Sequence, residues 1–259
     1  MAQLKTEDAL LHVEVDGAGD PITVLAHGIT NSCRELAMMT PLFAGTKIRF
    51  CFRGHGHSSS PERGYKFADF GRDLSAVADA YGAQNAVGTS LGACALCNLL
   101  ADQPDRFRRL IMLLPAGLDR PFDYKDRMLR TVDMVDGKSK EEAIATLLAD
   151  PERIAGYVQQ PYLRELDEIN LQDINLVGVP RAIREVIQDI PLLDRAVMRR
   201  VTAPTLLICR EGDIIHPAWV GRALAEVMPN AELMMYEDGA QMYQAIPEIV
   251  GRVREYLAS

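Results

Sequence analysis

Ser90 stands in Gly88-Thr89-Ser90-Leu91-Gly92, after a β-rich run (85–88) and before a run of helical character (91–100). A serine in the sharp turn between a strand and a helix is a placed nucleophile. Glycines two residues before and two after it remove side chains that would collide in so tight a bend. The same bend aims the helix N-terminus at the serine, where free N–H groups can bind a developing oxyanion. The chemistry implied is attack on a carbonyl followed by acyl transfer to water. That chemistry needs an imidazole to take the hydroxyl proton, yet no histidine follows position 216.

The elements that must hold Ser90 follow from alternation along the chain. Strand-like runs at 11–15, 22–26, 47–52, 85–88, 110–114, 205–209 and 232–236 are separated by helix-period runs, which predicts a mostly parallel twisted sheet flanked by helices, an α/β fold. Several of these runs are apolar without alternation, as strands buried on both faces should be. Phe67, Phe70, Leu74, Val77 and Tyr81 form one helical stripe, and Ile246, Ile249, Val250, Val253 and Leu257 form another. The alternation stops after 117, where helical periodicity and prolines continue with no convincing strand. This segment is expected to be an inserted helical cap at 118–192, with helices near 140–149, 151–159 and 180–189. The core domain is then 1–117 and 193–259. Phe122, Tyr124, Tyr157 and Tyr162 of the cap are candidate substrate-binding residues, or they serve only to bury the cap against the core.

Composition excludes several classes of partner. The 259 residues carry a formal net charge of −8 and no Lys/Arg cluster, which argues against a nucleic acid partner. No run approaches the roughly 18 apolar residues needed to span a bilayer, and Met1 to Glu7 lacks a secretory apolar region, so no membrane is expected and the location is read as cytoplasmic. Cys33, Cys51, Cys94, Cys97 and Cys209 form no disulfide framework. His55 and His57 lack the further ligands a zinc site needs, so no metal is expected. No Gly-rich phosphate loop is present, and acyl transfer needs no organic cofactor.

With the nucleophile turn placed, the chain resembles the α/β-hydrolase family over essentially its whole length. Val24-Leu25-Ala26-His27-Gly28-Ile29 is similar to the family's strand and His-Gly loop. The resemblance implies that the Ile29 and Leu91 amides form the oxyanion hole, with His27 and Gly28 at the substrate and His27 supporting the loop by hydrogen bonds. Phe52-Arg53-Gly54-His55-Gly56-His57-Ser58 resembles the family's Arg-Gly-x-Gly-x-Ser turn, although Cys51 stands where an aspartate is common. The run 203–213 resembles the penultimate strand and acid loop, which makes Asp213 the implied acid; Asp119 is its rival, because some family members carry the acid after the earlier strand.

The family's last segment is a strand, Gly-His, and a helix with a proline seven residues beyond. Here Gly239 and Pro247 match, and the histidine position holds Ala240. Three readings account for the alanine. Either a histidine has been replaced so that an acyl intermediate survives, or a natural non-catalytic protein binds a ligand without turning it over, or the base is displaced, with His216, three residues after Asp213, as the nearest candidate. The first reading best fits the retention of nucleophile, glycines, His-Gly loop and acid. On it, the parent is a serine hydrolase cleaving a carboxylic ester or lactone of a small hydrophobic molecule through an acyl-enzyme, and this chain is inactivated at position 240. A carbon–carbon bond hydrolase of the same family and a ligand-binding protein remain alternatives.

Overall fold

Residues 2–258 are described by a computed structural model. Eight strands form one sheet: β1 (Ala2–Lys5), β2 (Leu10–Asp16), β3 (Ile22–Ala26), β4 (Thr46–Phe50), β5 (Asn85–Thr89), β6 (Arg109–Leu113), β7 (Thr205–Arg210) and β8 (Ala231–Tyr236). Their spatial order is β1-β2-β4-β3-β5-β6-β7-β8, with β2 antiparallel to its neighbours and all pairs from β4 to β8 parallel. The seven expected strands are present within a residue or two of their sequence limits. β1 was not anticipated. Its four residues, mostly exposed, carry too little apolar patterning to announce a strand.

The helices are α1 (Phe67–Tyr81), α2 (Leu91–Asp102), α3 (Lys125–Val135), α4 (Lys140–Leu148), α5 (Pro151–Gln159), α6 (Tyr162–Asn170), α7 (Gly178–Val186), α8 (Ala218–Val227), α9 (Gly239–Gln244) and α10 (Ile246–Ala258). The five helices α3 to α7 all lie between β6 and β7. α5 begins with proline in its first turn and is capped by Asp150, whose side chain accepts from the Arg153 amide. Among the described residues no helix is long and apolar enough to cross a membrane.

The core explains why the centre of the sheet is rigid. Leu96 and Leu100 of α2 are fully buried against it, each contributing about 1.5–3 kcal/mol of apolar burial. Cys94 and Cys97 are buried on the same helix, and burial pushes the Cys94 thiol up to about 12, so this Cys-x-x-Cys spacing is core packing. All five cysteines are buried free thiols. On the flank, Arg53 binds Asp73 of α1 through two nitrogens (2.9 and 2.7 Å), tying the turn after β4 to the helix layer.

Register brings the functional loops together. Ala26 pairs with Gly88, and Thr89 pairs with Leu113. The loops leaving β3, β5 and β6 therefore emerge side by side at the carboxyl edge of the sheet, where the chain passes from β3 outward in both directions. Ligands of open α/β sheets bind at such a reversal of strand order.

Candidate active site

Ser90 sits at φ 51°, ψ −107°, a strained backbone for a residue with a side chain. Its neighbours make that posture possible. A Cβ on Gly88 would lie 2.7 Å from the Gly92 carbonyl group, and one on Gly92 would run into the Ala26 carbonyl. The Ser90 amide donates to the Leu113 carbonyl (3.0 Å) and the Gly92 amide to His27 O (3.1 Å), stitching the turn to β6 and to the loop after β3.

The imidazole facing the nucleophile is that of His216. Its Nε2 lies 3.1 Å from Ser90 Oγ, and its Nδ1 lies 3.0 Å from Asp213 Oδ2. A carboxylate only accepts, so Nδ1 carries the proton and Nε2 is left to accept from the serine hydroxyl. Acid and imidazole share one short turn after β7: Asp213 Oδ1 accepts from the Ile215 and His216 amides (3.0 and 3.1 Å). That Asx-type turn folds the histidine back over its own acid. Burial alone would raise the Asp213 carboxyl, but the hydrogen bond and charge of His216, reinforced by Arg210, hold it far below the usual carboxylate range. Arg210 supplies two hydrogen bonds to Asp213 Oδ2, at 2.9 and 2.6 Å.

Position 240 is thereby corrected. Ser90 does not face an empty niche, because His216 already bonds to it. Ala240 lies in the first turn of α9, which Asp238 caps by accepting from the Gln241 amide (2.8 Å). The space beside Gly239 is taken by the Arg210 guanidinium and the Gln160 side-chain amide at the end of α5. The rival acid is corrected too: Asp119 accepts from Arg195 Nε (2.7 Å).

The loop after β3 holds one peptide plane with care. Gly28 O accepts from His27 Nδ1 (2.7 Å) and from the Asn31 amide (3.3 Å), so the Ile29 N–H of the same peptide must point the opposite way. His27 Nε2 accepts from the Phe52 amide (3.0 Å), which fixes the tautomer. Burial pulls the His27 imidazole down to about 3, so it stays neutral. His27 is therefore a support of the loop and not a substrate contact, since both ring nitrogens are engaged within the protein. Gly28 lies beside Ser90. Among the described residues, neither the Ile29 amide nor that of Leu91, the first residue of α2, donates a hydrogen bond.

A narrow apolar cavity opens over Ser90, lined by Ile29, Leu91, Phe122, Tyr124, Met128 and Ile187 among others. Phe122 and Tyr124 thus reach the site, with the Tyr124 hydroxyl donating to Ala116 O (3.1 Å). Tyr157 and Tyr162 do not line this cavity, which corrects their expected role. The Tyr157 hydroxyl donates to Asp167 (2.7 Å), and Tyr162 donates to Gln160 (3.2 Å) while stacking on Tyr243 with ring centroids 4.9 Å apart. These contacts tie α5 to α6, and α6 to α9.

One residue at the site was missed by sequence reasoning altogether. Glu35 Oε2 accepts from the Gly28 amide (2.6 Å), and burial pushes its carboxyl up to about 7 despite that bond and one from Asn31. No spacing rule exposes it, because only the return of the loop brings position 35 back to position 28.

Comparisons with known proteins bear on the fold and on the reaction class of similar proteins. A family profile described as α/β hydrolase fold matches residues 24–141. A protein of Azorhizobium caulinodans named for carbamate hydrolysis is 24% identical over 250 residues, covering 92% of this chain and 91% of its own. The 2-(acetamidomethylene)succinate hydrolase of Mesorhizobium japonicum is 33% identical over 110 residues, 40% of this chain and 38% of that protein. The enol-lactonase from Burkholderia xenovorans LB400 has the same fold, with a TM-score of 0.79 at 17% identity and 100% of both chains covered. On the profile match over residues 24–141 and the shared architecture, the chain has the α/β-hydrolase fold.

Proposed function

We propose that the protein is a serine hydrolase that cleaves a carboxylic ester or lactone of a small apolar molecule through an acyl-enzyme. The observation that carries this reading is the unbroken line from Asp213 Oδ2 through His216 Nδ1 and Nε2 to Ser90 Oγ, with links of 3.0 and 3.1 Å. In it, His216 Nε2 takes the Ser90 proton as the oxygen attacks the carbonyl carbon, and then delivers that proton to the leaving oxygen. Asp213, ionised and pinned by Arg210, holds the ring in the required tautomer and balances its charge when protonated. The amides of Ile29 and Leu91 receive the oxyanion, and being already unpaired they need no rearrangement to do so. Water then repeats the sequence to release the acyl group. The apolar cavity suits a compact hydrocarbon acyl chain or lactone ring.

This reading replaces that of a chain inactivated at position 240: the displaced base His216 supplies what Ala240 lacks. The names of the relatives, for carbamate and enol-lactone hydrolysis, agree with attack of water on an acyl carbon. We place the enzyme in the cytoplasm, where five free thiols are stable. The test is fluorophosphonate labelling and turnover of a panel of short esters, lactones and β-diketones, with Ser90→Ala alongside. Labelling confined to Ser90 with ester or lactone turnover is expected. Turnover of diketones alone would favour carbon–carbon cleavage, and no labelling or turnover at all would leave a binding protein.

A further inference from the structure

The cavity that accepts the acyl part carries no charged lining among the described residues. Discrimination by charge must therefore come from residues outside that lining, and several charged side chains beyond it are committed to one another. Arg210 is bonded to Asp213. Arg153 and the Tyr157 hydroxyl are bonded to Asp167 of the cap. Glu35 differs. Its carboxyl is held by the Gly28 amide and the Asn31 side chain, and its electrostatic neighbours are His216 and Asp167, with no Lys or Arg among the described residues paired to it. Its Oε1 and the Ser90 Cβ each lie 3.4 Å from the place a Cβ on Gly28 would take, so the carboxyl and the nucleophile flank the same glycine. It remains partly open to solvent. A carboxyl that is largely enclosed and lacks a cationic partner is a site where a positive or donating ligand group gains most.

Resting on the serine-hydrolase reading, we propose that Glu35 is a specificity-determining residue that favours substrates whose end projecting from the apolar cavity carries a cationic or hydrogen-bond-donating group. A substrate with an aminoalkyl or quaternary ammonium group on its leaving side fits this carboxyl. One with a carboxylate in that place is repelled by it.

The test uses three thioacetates of matched size, with a quaternary ammonium, a neutral tert-butyl or a carboxylate group at the end of the thiol. Their kcat/KM values are compared at about pH 8.5, above the raised Glu35 carboxyl, for the full chain and for Glu35→Gln, which keeps an acceptor for the Gly28 amide. In the unaltered protein the cationic substrate should exceed the neutral one by about tenfold, chiefly through KM, and Glu35→Gln should abolish that ratio and relieve the penalty on the anionic substrate. Glu35→Asp, which keeps the charge, should retain the order. A second readout needs no variant: choline should inhibit the unaltered protein competitively at lower concentration than its neutral isostere 3,3-dimethylbutanol. An equal fall for all three substrates in Glu35→Gln, or an unchanged ratio, would overturn the role assigned to Glu35 while leaving the hydrolase reading intact. Absence of turnover on every thioacetate and on the ester panel would overturn both.

Discussion

Exchanging the two candidate base positions separates the displaced-base arrangement from the one the sequence first suggests. In His216→Ala both links of the line vanish together, the 3.0 Å bond to Asp213 and the 3.1 Å contact with Ser90. The serine then has no group to take its proton, while the Ile29 and Leu91 amides and the apolar cavity stay in place. Loss of one member of such a unit costs roughly 10⁴ to 10⁶ in kcat, or about 5–8 kcal/mol of transition-state stabilisation, with KM little changed. Ala240→His should recover nothing, because the Arg210 guanidinium and Gln160 already crowd the neighbouring Gly239. The assay is initial-rate hydrolysis of a short p-nitrophenyl ester by both single variants and by the double variant, with folding checked by thermal unfolding. Should His216→Ala retain activity within about tenfold of the unaltered chain, or Ala240→His raise it a hundredfold, the assignment of the base is wrong.

Three further outcomes are expected. Gly92→Ala drives a methyl into the Ala26 carbonyl and should destabilise the protein by about 2–4 kcal/mol, read by denaturant unfolding; a loss below about 0.5 kcal/mol would mean the turn relaxes easily. Met128→Trp fills part of the cavity from the α3 side and should shift the preferred p-nitrophenyl ester toward shorter acyl chains, which a chain-length series would detect. The raised Glu35 carboxyl, moved from 4.5 to about 7 mainly by burial, contributes stability that is present below pH 4.5 and lost as pH rises through about 7. Glu35→Gln should therefore gain on the unaltered chain as pH rises across that window, by up to about 3 kcal/mol; a difference in unfolding free energy that is flat with pH would contradict the burial argument.

The strands and the tight strand-to-helix turn at Ser90 could be read from the chain because each is set locally. Val24, Leu25 and Ala26 or Leu206, Leu207 and Ile208 are apolar runs bounded by polar turns, and Gly88 and Gly92 flank Ser90 at a spacing that has one steric explanation. The base could not be read in that way. His216 was visible as a third possibility, but its reach to Ser90 depends on the Asx-type bend at Asp213 and on the register that sets β7 beside β6 and β5, neither of which a spacing rule encodes. A frame matching so well around Gly239 and Pro247 drew attention to Ala240 instead. Tyr157 and Tyr162 failed for a related reason: a helical stripe says that a ring is buried, and not which neighbour buries it. α3 went unnoticed although Met128, Val132 and Val135 are buried at helical spacing, because charged residues dominate the rest of its surface.

Carrying both proton-handling side chains on the Asp213–His216 bend alters how the molecule can fail and how it can change. In an arrangement with the imidazole on a separate loop, any drift between two distant stretches of chain would misalign them. Here they ride on a single peptide knuckle clamped by Arg210, so on the proposed mechanism the segment from β8 onward carries no chemical duty and serves packing. Substitutions there should be judged by how they fill space and not by what they do to turnover.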